Sequence, residues 1–197
     1  MTLDAMWERL PERLEGRIVV LEALRPEHDA ALRAAGADPA IWRWMRVGDV
    51  DTWLRWMHES STDHGFAIVL DGVPVGSSSY MALAPEHRRL EIGNTWMNPA
   101  TWRTGANADA KYVLLRHAFE ELGCARVEFK TDAQNERARA ALAAIPAQFE
   151  GIHRKHMLVR GGQRRDSAWY SVIDDEWPQV KAALERRLSR LWDRRDV

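Results

Sequence analysis

The sequence contains only one cysteine, Cys124, among 197 residues. An internal disulfide needs two cysteines, so the chain is not one of the disulfide-stabilised secreted domains. It also lacks the run of about 20 apolar residues that a membrane-spanning helix needs, and Met1 is not followed by a signal-like apolar region. We therefore expect a cytoplasmic protein with no membrane partner, in which Cys124 has a core role.

An excess of charge of one sign is missing as well. The chain has 28 lysine and arginine residues against 29 aspartate and glutamate residues, a formal net charge of -1. This balance gives no general attraction to nucleic acid, so we expect no nucleic-acid partner. No linker rich in proline, glycine or serine divides the chain, and 46% of its residues are hydrophobic. We predict a single domain over residues 1–197 with one sizeable core.

Hydrophobic periodicity predicts strands and helices in the first half of the chain. Residues 17–22 alternate as a strand does, and residues 26–36 begin with Pro26 as a helix. Tryptophan, leucine and methionine recur at helical spacing up to residue 60, where Asp49 or Asp51 is the expected N-cap. The segments FAIVL and VGSSSYMAL predict a hairpin around the Asp71-Gly72 turn.

The second half predicts strand, helix (107–122), strand (126–131), helix (135–144) and two strands joined around residues 161–162. An amphipathic helix over about 175–192 follows. Its apolar stripe consists of Trp177, Val180, Leu184, Leu188 and Leu191. This stripe packs either on its own domain or on a twin subunit, so a homodimer is one of two arrangements left open.

The turn between the strand LEIGNTWM and the next helix is a candidate anion site. The first residues of a helix leave N–H groups unpaired and carry the positive end of the helix dipole, so a pyrophosphate fits there. Gly105 can adopt a positive φ, and Arg103 and Asn107 can each add a hydrogen-bond donor. An ordinary strand-turn-helix joint is the alternative.

Several segments together resemble the GNAT superfamily of acyl-CoA-dependent N-acetyltransferases, in particular its RimJ/RimL-like branch. They are LEIG, NPATWRTGANADAK, HAFEELGCARVEFKTDAQNERARAAL, FEGIHRKH and RRDSAWYSVI. The resemblance implies an α/β (α+β) fold: a mixed, strongly twisted sheet of about seven strands, flanked by helices, whose fourth and fifth strands splay apart. It implies acetyl-CoA as co-substrate, bound by Trp96, Met97, Arg103, Thr104, Gly105, Ala106, Asn107, Ala108 and Asn135.

Two departures from the family pattern bear on cofactor binding and on catalysis. The family loop reads Q/R-x-x-G-x-G/A, but Trp102 stands at the Gln/Arg position and Asn107 at the second small position. Ala138 stands where the RimL-like branch has a serine that is proposed to protonate the leaving thiolate. A module that binds acyl-CoA without transferring the acyl group is therefore an alternative function. A dinucleotide-binding domain is disfavoured because no G-x-G-x-x-G follows a strand.

Acyl transfer to an amine requires an uncharged amine, which a general base or a water relay provides. Glu91 is the first candidate for this base and for acceptor binding. It alternates with Leu90 and Ile92, so it faces away from the core if they face toward it. The alternative is a solvated or salt-bridged carboxylate near Arg88 or Arg89. A bulge at the neighbouring Gly93 would splay the strand, and a plain structural glycine is the alternative.

Asn135, Tyr170 and His156 are the other catalytic candidates. With alanine at position 138, Asn135, a nearby water or the Tyr170 phenol would protonate the thiolate. The alternatives are a helix N-cap for Asn135 and a half-buried aromatic side chain for Tyr170. His156 is a candidate base because its ordinary pKa lies near neutrality, and a structural histidine is the alternative. We predict no metal site, since His153 and His156 lie three apart on a strand and should face opposite ways.

Tryptophans concentrate in the segment that covers the acceptor side of the cleft in GNAT proteins. Trp42, Trp44 and Trp53 are the predicted acceptor-binding residues there, because aromatic walls hold apolar or cationic groups. Arg43 and Arg46 are expected to shape the same side. The acceptor itself stays open between a protein N-terminus, a small amine, an aminoglycoside and an amino acid, and the acyl group between acetyl, succinyl and longer chains.

Overall fold

The computed structural model describes residue 7 and residues 10–192. Its centre is one eight-stranded sheet in the order β1-β2-β3-β4-β5-β6-β8-β7. Every neighbouring pair is antiparallel except β5 and β6, which are parallel. The strands are β1 Arg13–Glu15, β2 Val20–Ala23, β3 His64–Leu70, β4 Val73–Ala84, β5 Arg89–Met97, β6 Arg126–Asp132, β7 Gln148–Val159 and β8 Gln163–Ile173.

The described helices flank this sheet on both faces. They are α1 Asp29–Ala35, α2 Val50–Glu59, α3 Ala106–Arg116, α4 Glu136–Ala143 and α5 Trp177–Trp192. Met97 belongs to the core cluster that contains residues of α3 and α5, whereas Trp96 belongs to the cluster that contains residues of α1 and α2. Neighbouring strand residues point to opposite faces, so the two clusters cover opposite faces of the sheet. The predicted mixed, helix-flanked sheet is confirmed.

Local differences from the predicted elements have physical causes. The sheet has eight strands rather than about seven, because the short β1 pairs with β2 ahead of the predicted first strand. That first strand covers Val20–Ala23 rather than 17–22, since Gly16 N–H donates to the Val19 carbonyl in a turn. The helix predicted over 107–122 is α-helical to Arg116 and continues as a π-helical turn over His117–Glu121.

The apolar stripe of α5 packs on the body of its own chain. Trp177, Val180, Leu184 and Leu188 are buried in the same core cluster as α3 residues. A hydrogen bond of 2.7 Å from the Tyr112 hydroxyl to Glu185 Oε1 joins the two helices. The stripe is therefore used within the chain, and the homodimer stays a prediction that it does not support. None of the described helices is long and apolar enough to cross a membrane.

Asp109 joins the first hairpin to α3. One carboxylate oxygen, Oδ2, accepts from the backbone N–H groups of Ile18 at 2.8 Å and Val19 at 3.0 Å. The carboxylate fills the place beside Gly16 that a side chain would take, because a Cβ there would lie 2.2 Å from Oδ2. A charged acceptor so deeply buried is stabilising only while its donors stay bound to it.

We expect Asp109→Ala to lower the free energy of unfolding by about 3 kcal/mol, because it leaves buried N–H groups without their acceptor. Urea unfolding followed by circular dichroism measures this loss. Asp175→Ala is the matched control, since Asp175 is exposed on the turn before α5 and should change stability by less than about 0.5 kcal/mol. Similar losses in the two variants would contradict the role given to Asp109.

Candidate active site

Strands β5 and β6 are paired only at their beginnings. Their parallel register covers Arg89 with Arg126, Leu90 with Val127 and Glu91 with Glu128, and no described pair follows. On the other side of β5, Ser79 pairs with Gly93 but Ser77 pairs with Trp96, so β5 carries an extra residue. Asn94, with φ of 49°, lies in this bulge. A bulge bends its strand and increases the local twist, which separates β5 from β6 beyond Glu91.

The N-terminus of α3 presents several unpaired N–H groups. Within residues 10–192, the amides of Gly105, Asn107 and Ala108 have no hydrogen-bond partner, whereas Ala106 donates to Thr104 Oγ1 at 3.4 Å. Such amides at the positive end of a helix dipole form an anion site. This arrangement fits the pyrophosphate of acetyl-CoA.

Gly105 is required there by conformation and packing. Its φ is +93°, and a Cβ would meet Leu191 Cδ1 at 2.6 Å and Ile18 Cδ1 at 3.0 Å. The positive φ agrees with the prediction from the sequence. In the structure the side that a Cβ would fill faces α5 and the first hairpin.

Arg137 adds a cation near this loop. Its guanidinium carbon lies 3.6 Å from the centre of the Trp102 ring, and Trp102 Nε1 donates to the Met97 carbonyl at 3.0 Å. Trp102 therefore supports a charge that comes from α4. Arg137 was not predicted from the sequence, because a contact between residues 35 apart in sequence has no signal in local periodicity.

The other predicted cofactor residues differ in their positions. Arg103 and Thr104 are exposed on the loop, and Ala106 and Met97 are buried in the core. The side chain of Trp96 is buried too. Asn135 is the N-cap of α4, since its Oδ1 accepts from Ala138 N–H at 3.1 Å. Its Nδ2 donates to no group in the described part of the chain.

Trp96 is packed between two of the predicted acceptor-binding tryptophans. Its ring centre lies 5.2 Å from that of Trp42 and 5.3 Å from that of Trp53, and all three side chains are buried. Trp42 and Trp53 therefore lie in the packed core of this cluster, and their binding of an acceptor stays a prediction. Trp44 differs, because it is partly exposed and lies beneath the guanidinium of Arg43 at 4.9 Å.

Glu91 lies where β5 and β6 begin to separate. It is 2% exposed, and its Oε2 accepts a hydrogen bond of 2.6 Å from Lys130 Nζ. Leu90 and Ile92 belong to the core cluster, so Glu91 lies on the other face, as the alternation predicted. Its salt-bridge partner is Lys130 and neither Arg88 nor Arg89. Burial raises the pKa of Glu91, while the Lys130 ammonium opposes that change.

Lys111 of α3 approaches the same region from the core face. Its Nζ donates to Ser78 Oγ at 3.1 Å and to Thr95 Oγ1, which follows the bulge. Burial lowers the pKa of Lys111 to about 7, although the negative charge of Glu91 acts to raise it. Lys111 was not predicted as a site residue, although its position in the sequence indicates a buried lysine. Lys111 is in phase with Leu114, Leu115 and Ala118 on the apolar face of the helix.

The Tyr170 hydroxyl and the His156 ring are both placed to take part in proton transfer. The Tyr170 hydroxyl accepts from Arg139 Nε at 3.1 Å, so its own proton is not used in that bond. His156 Nδ1 lies 3.0 Å from Ser167 Oγ. Burial, followed by the charges of Lys130 and Arg165, lowers the pKa of His156, which favours the uncharged ring at neutral pH.

One expectation about the histidines is wrong. His153 and His156 do not face opposite ways, because both rings contact Trp169, at 4.7 Å and 5.5 Å between ring centres. Lys155 lies between them with φ of 50°, and the register with β8 shifts between His153 and Met157. The described residues include no group of three or more histidine, cysteine, aspartate or glutamate side chains placed to hold a metal ion. Cys124 is buried in the core, and burial raises its pKa to about 12.

A cavity of about 720 Å³ opens between the segment before α2 and the strands β6, β7 and β8. Glu91 is not among its lining residues, but Arg165 in its wall acts electrostatically on that carboxylate. Trp44 and Arg43, both predicted for the acceptor side, line it. The other lining residues are Met45, Asp132, Ala133, Gln134, Lys155, Val159, Arg160, Gln163, Arg164, Arg165 and Asp166.

Comparison with known proteins identifies the family of the chain. The family described as "Acetyltransferase (GNAT) domain" matches residues 19–147. The chain belongs to the GNAT acetyltransferase family. The family recognised in the sequence is thus confirmed.

Three relatives place this GNAT chain more closely. A proposed acetyltransferase from T. thermophilus has a crystal structure with a TM-score of 0.85 and 40% identity, covering 91% of this chain and 98% of that one. YdaF of Bacillus subtilis (strain 168), whose name proposes a ribosomal N-acetyltransferase, is 32% identical over 114 residues, 58% of this chain and 61% of YdaF. The chain spans less than two thirds of the curated relatives that it matches.

The third relative is RimJ of Mycobacterium smegmatis, solved in complex with CoA-disulfide. It has a TM-score of 0.74 at 23% identity and covers 90% of this chain and 93% of RimJ. At 23% identity this comparison shows a shared fold and no more. The similarity to YdaF supports the predicted RimJ/RimL-like branch of the family.

Proposed function

We propose that this GNAT protein is an acetyl-CoA-dependent N-acetyltransferase that acts on a primary amine by direct attack. The observation that carries the proposal is the gap between β5 and β6, which begins at buried Glu91 on a strand that leads to the free amides of α3. Acetyl-CoA supplies the acetyl group as an activated thioester. The cytoplasmic location stays a prediction.

The residues of the chain divide the work of binding and proton transfer. The amides of Gly105, Asn107 and Ala108 hold the pyrophosphate, and Arg137 on Trp102 adds positive charge beside them. Glu91 Oε accepts the proton of the acceptor ammonium, and its raised pKa brings it closer to the working pH of a general base. Lys130 fixes the carboxylate in position.

A proton donor for the departing sulfur comes from a group other than residue 138. The Tyr170 hydroxyl keeps its proton free while Arg139 donates to its oxygen, and Asn135 Nδ2 is unbonded within residues 10–192. Tyr170 is the stronger candidate, because a phenol has a proton of moderate acidity and an amide does not.

Acyl-CoA binding without transfer is the second candidate function, and Ala138 is the observation that favours it. Calorimetry with coenzyme A and thiol release on a panel of amines distinguish the two. We expect coenzyme A to bind and at least one amine to release thiol from acetyl-CoA faster than water does. Binding without release on any amine would establish the second function, and no binding at millimolar coenzyme A would overturn both.

A further inference from the structure

The cavity between the segment before α2 and the strands β6, β7 and β8 has a cationic wall. Its basic lining residues are Arg43, Lys155, Arg160, Arg164 and Arg165, and its acidic ones are Asp132 and Asp166. This excess is local, because the formal net charge of the whole chain is -1. A positive field confined to one concave site selects a ligand by its charge, whereas a positive field over the surface attracts polyanions in general.

The two acidic residues offset only part of this positive charge. Asp132 Oδ1 accepts from the Gln134 amide at 2.8 Å, and Asp166 Oδ1 accepts from the Lys155 amide at 2.6 Å. In the part of the chain that the structure describes, none of the five basic residues has a carboxylate within 4.0 Å. Their charges therefore remain available to a ligand.

Arg165 is the deepest of these cations. It is 9% exposed, and its side chain makes a single hydrogen bond to the described residues, of 3.1 Å from Nε to Ser167 Oγ. Burial lowers the pKa of Arg165, and Asp132 and Glu91 offset this only in part. A desolvated guanidinium with both terminal nitrogens unbonded to the described residues is unfavourable until an anion meets it, and its planar fork matches a carboxylate.

Arg160 supplies a second buried donor. Its Nη2 donates to the carbonyl of Arg43, which links the turn after β7 to the segment before α2. Its Nε is buried and has no hydrogen-bond partner among the described residues. A buried donor of this kind is costly unless a ligand accepts from it.

We propose that the acceptor is an amine that carries carboxylate groups, and that this cavity binds those groups while the amine lies near Glu91. The inference rests on the proposed function, since it takes the cavity as the acceptor site. A volume of about 720 Å³ is large for a single amino acid and suits a short acidic peptide segment behind its N-terminal amine. Arg165 holds the inner carboxylate, and Arg164, Arg43 and Lys155 attract the outer ones.

Matched acceptors test whether the protein prefers amines that carry carboxylate groups. Three hexapeptides with the same N-terminal alanine carry glutamate, glutamine or lysine at the next three positions, and free glutamate is compared with glutamine. Thiol release from acetyl-CoA gives kcat/KM, and fluorescence anisotropy of C-terminally labelled peptides with coenzyme A present gives Kd without turnover. We expect the glutamate peptide to have about tenfold higher kcat/KM and about tenfold lower Kd than the glutamine peptide, and both differences should shrink as the salt concentration rises.

The free amino acids separate the two sources of the carboxylate. A preference for the acidic peptide over free glutamate supports the peptide, and the reverse order assigns the site to an acidic amino acid. Either order retains the carboxylate-bearing amine.

Variants of the basic lining residues test whether they cause the preference for the glutamate peptide. Arg164→Gln changes an exposed residue and should reduce the advantage of the glutamate peptide about threefold, and Arg165→Lys should reduce it further by removing the fork. Arg186→Gln makes the same charge change at an exposed position of α5, away from the cavity. It should leave the advantage of the glutamate peptide intact.

Equal Kd and equal kcat/KM for the three peptides would overturn this inference and leave the proposed transferase intact. Tight, salt-sensitive binding of the glutamate peptide without thiol release would support the cavity and reject the transferase.

Discussion

Glu91→Gln is expected to lower kcat by about 100-fold while leaving the Kd for coenzyme A nearly unchanged. The carboxylate is the proposed acceptor of the amine proton, and glutamine keeps its shape but cannot take up a proton at working pH. Lys130 is expected to tolerate the change, since its ammonium also lies 5.3 Å from the Trp169 ring centre. Steady-state thiol release and calorimetry measure the two quantities.

Glu128→Gln is the matched control for this variant. Glu128 lies opposite Glu91 in the parallel register, is also buried, and is salt-bridged to Arg126 and Arg89. We expect Glu128→Gln to keep kcat within about threefold of the original protein. The fall of kcat/KM at acid pH should disappear in Glu91→Gln only. Protonation of Glu91, whose pKa is raised by burial, is the proposed cause of that fall. An unchanged profile in Glu91→Gln would remove Glu91 from proton transfer.

Lys111→Met is expected to make the protein more stable by roughly 2 kcal/mol at pH 6. The ammonium of Lys111 is buried between Ser78 and Thr95, whose hydroxyls cannot replace the lost hydration of a full charge. Methionine fills the same space without a charge. Urea unfolding at a series of pH values measures the difference.

The sign of the pH dependence follows from the pKa of Lys111. The unfolded chain holds this proton up to about pH 10.5, whereas the folded protein releases it near pH 7. Unfolding therefore takes up a proton between these values, and the stability of the original protein rises with pH by up to about 1.4 kcal/mol per unit.

The advantage of Lys111→Met should be largest below pH 7 and fade toward pH 10.5. Lys181→Met, which removes a partly exposed lysine from α5, should show no such trend. A constant advantage of Lys111→Met across this range would contradict the low pKa.

Local patterns predicted the elements whose causes are local. The turn at Asp71 and Gly72 joins β3 to β4 as predicted, and both residues adopt the positive φ that such a turn requires. Asp49 caps α2, with its Oδ1 accepting from Thr52 N–H at 2.8 Å. The bulge next to Gly93 was predicted from the glycine on that strand.

Contacts between distant segments could not be predicted in this way. The partner of Glu91 is Lys130, 39 residues later, and the nearer Arg88 and Arg89 were the natural guesses. The His153 and His156 prediction failed because a left-handed Lys155 interrupts the alternation, and no residue type nearby indicates that conformation. The cationic cavity combines residues from the segment before α2, from β7 and from β8. Only the fold brings the five basic side chains of these segments to one cavity.

The setting of Gly105 ties both ends of the described chain to the candidate cofactor loop. Ile18 of the first hairpin and Leu191 of the last helix meet at the position where its side chain would lie, and Asp109 anchors the same hairpin one turn further along α3. Ligand occupancy at the loop should consequently slow amide hydrogen exchange in β1, β2 and the end of α5, far from any atom of the ligand. Leu191→Ala should weaken coenzyme A binding, because the Leu191 side chain packs where a Cβ of residue 105 would lie.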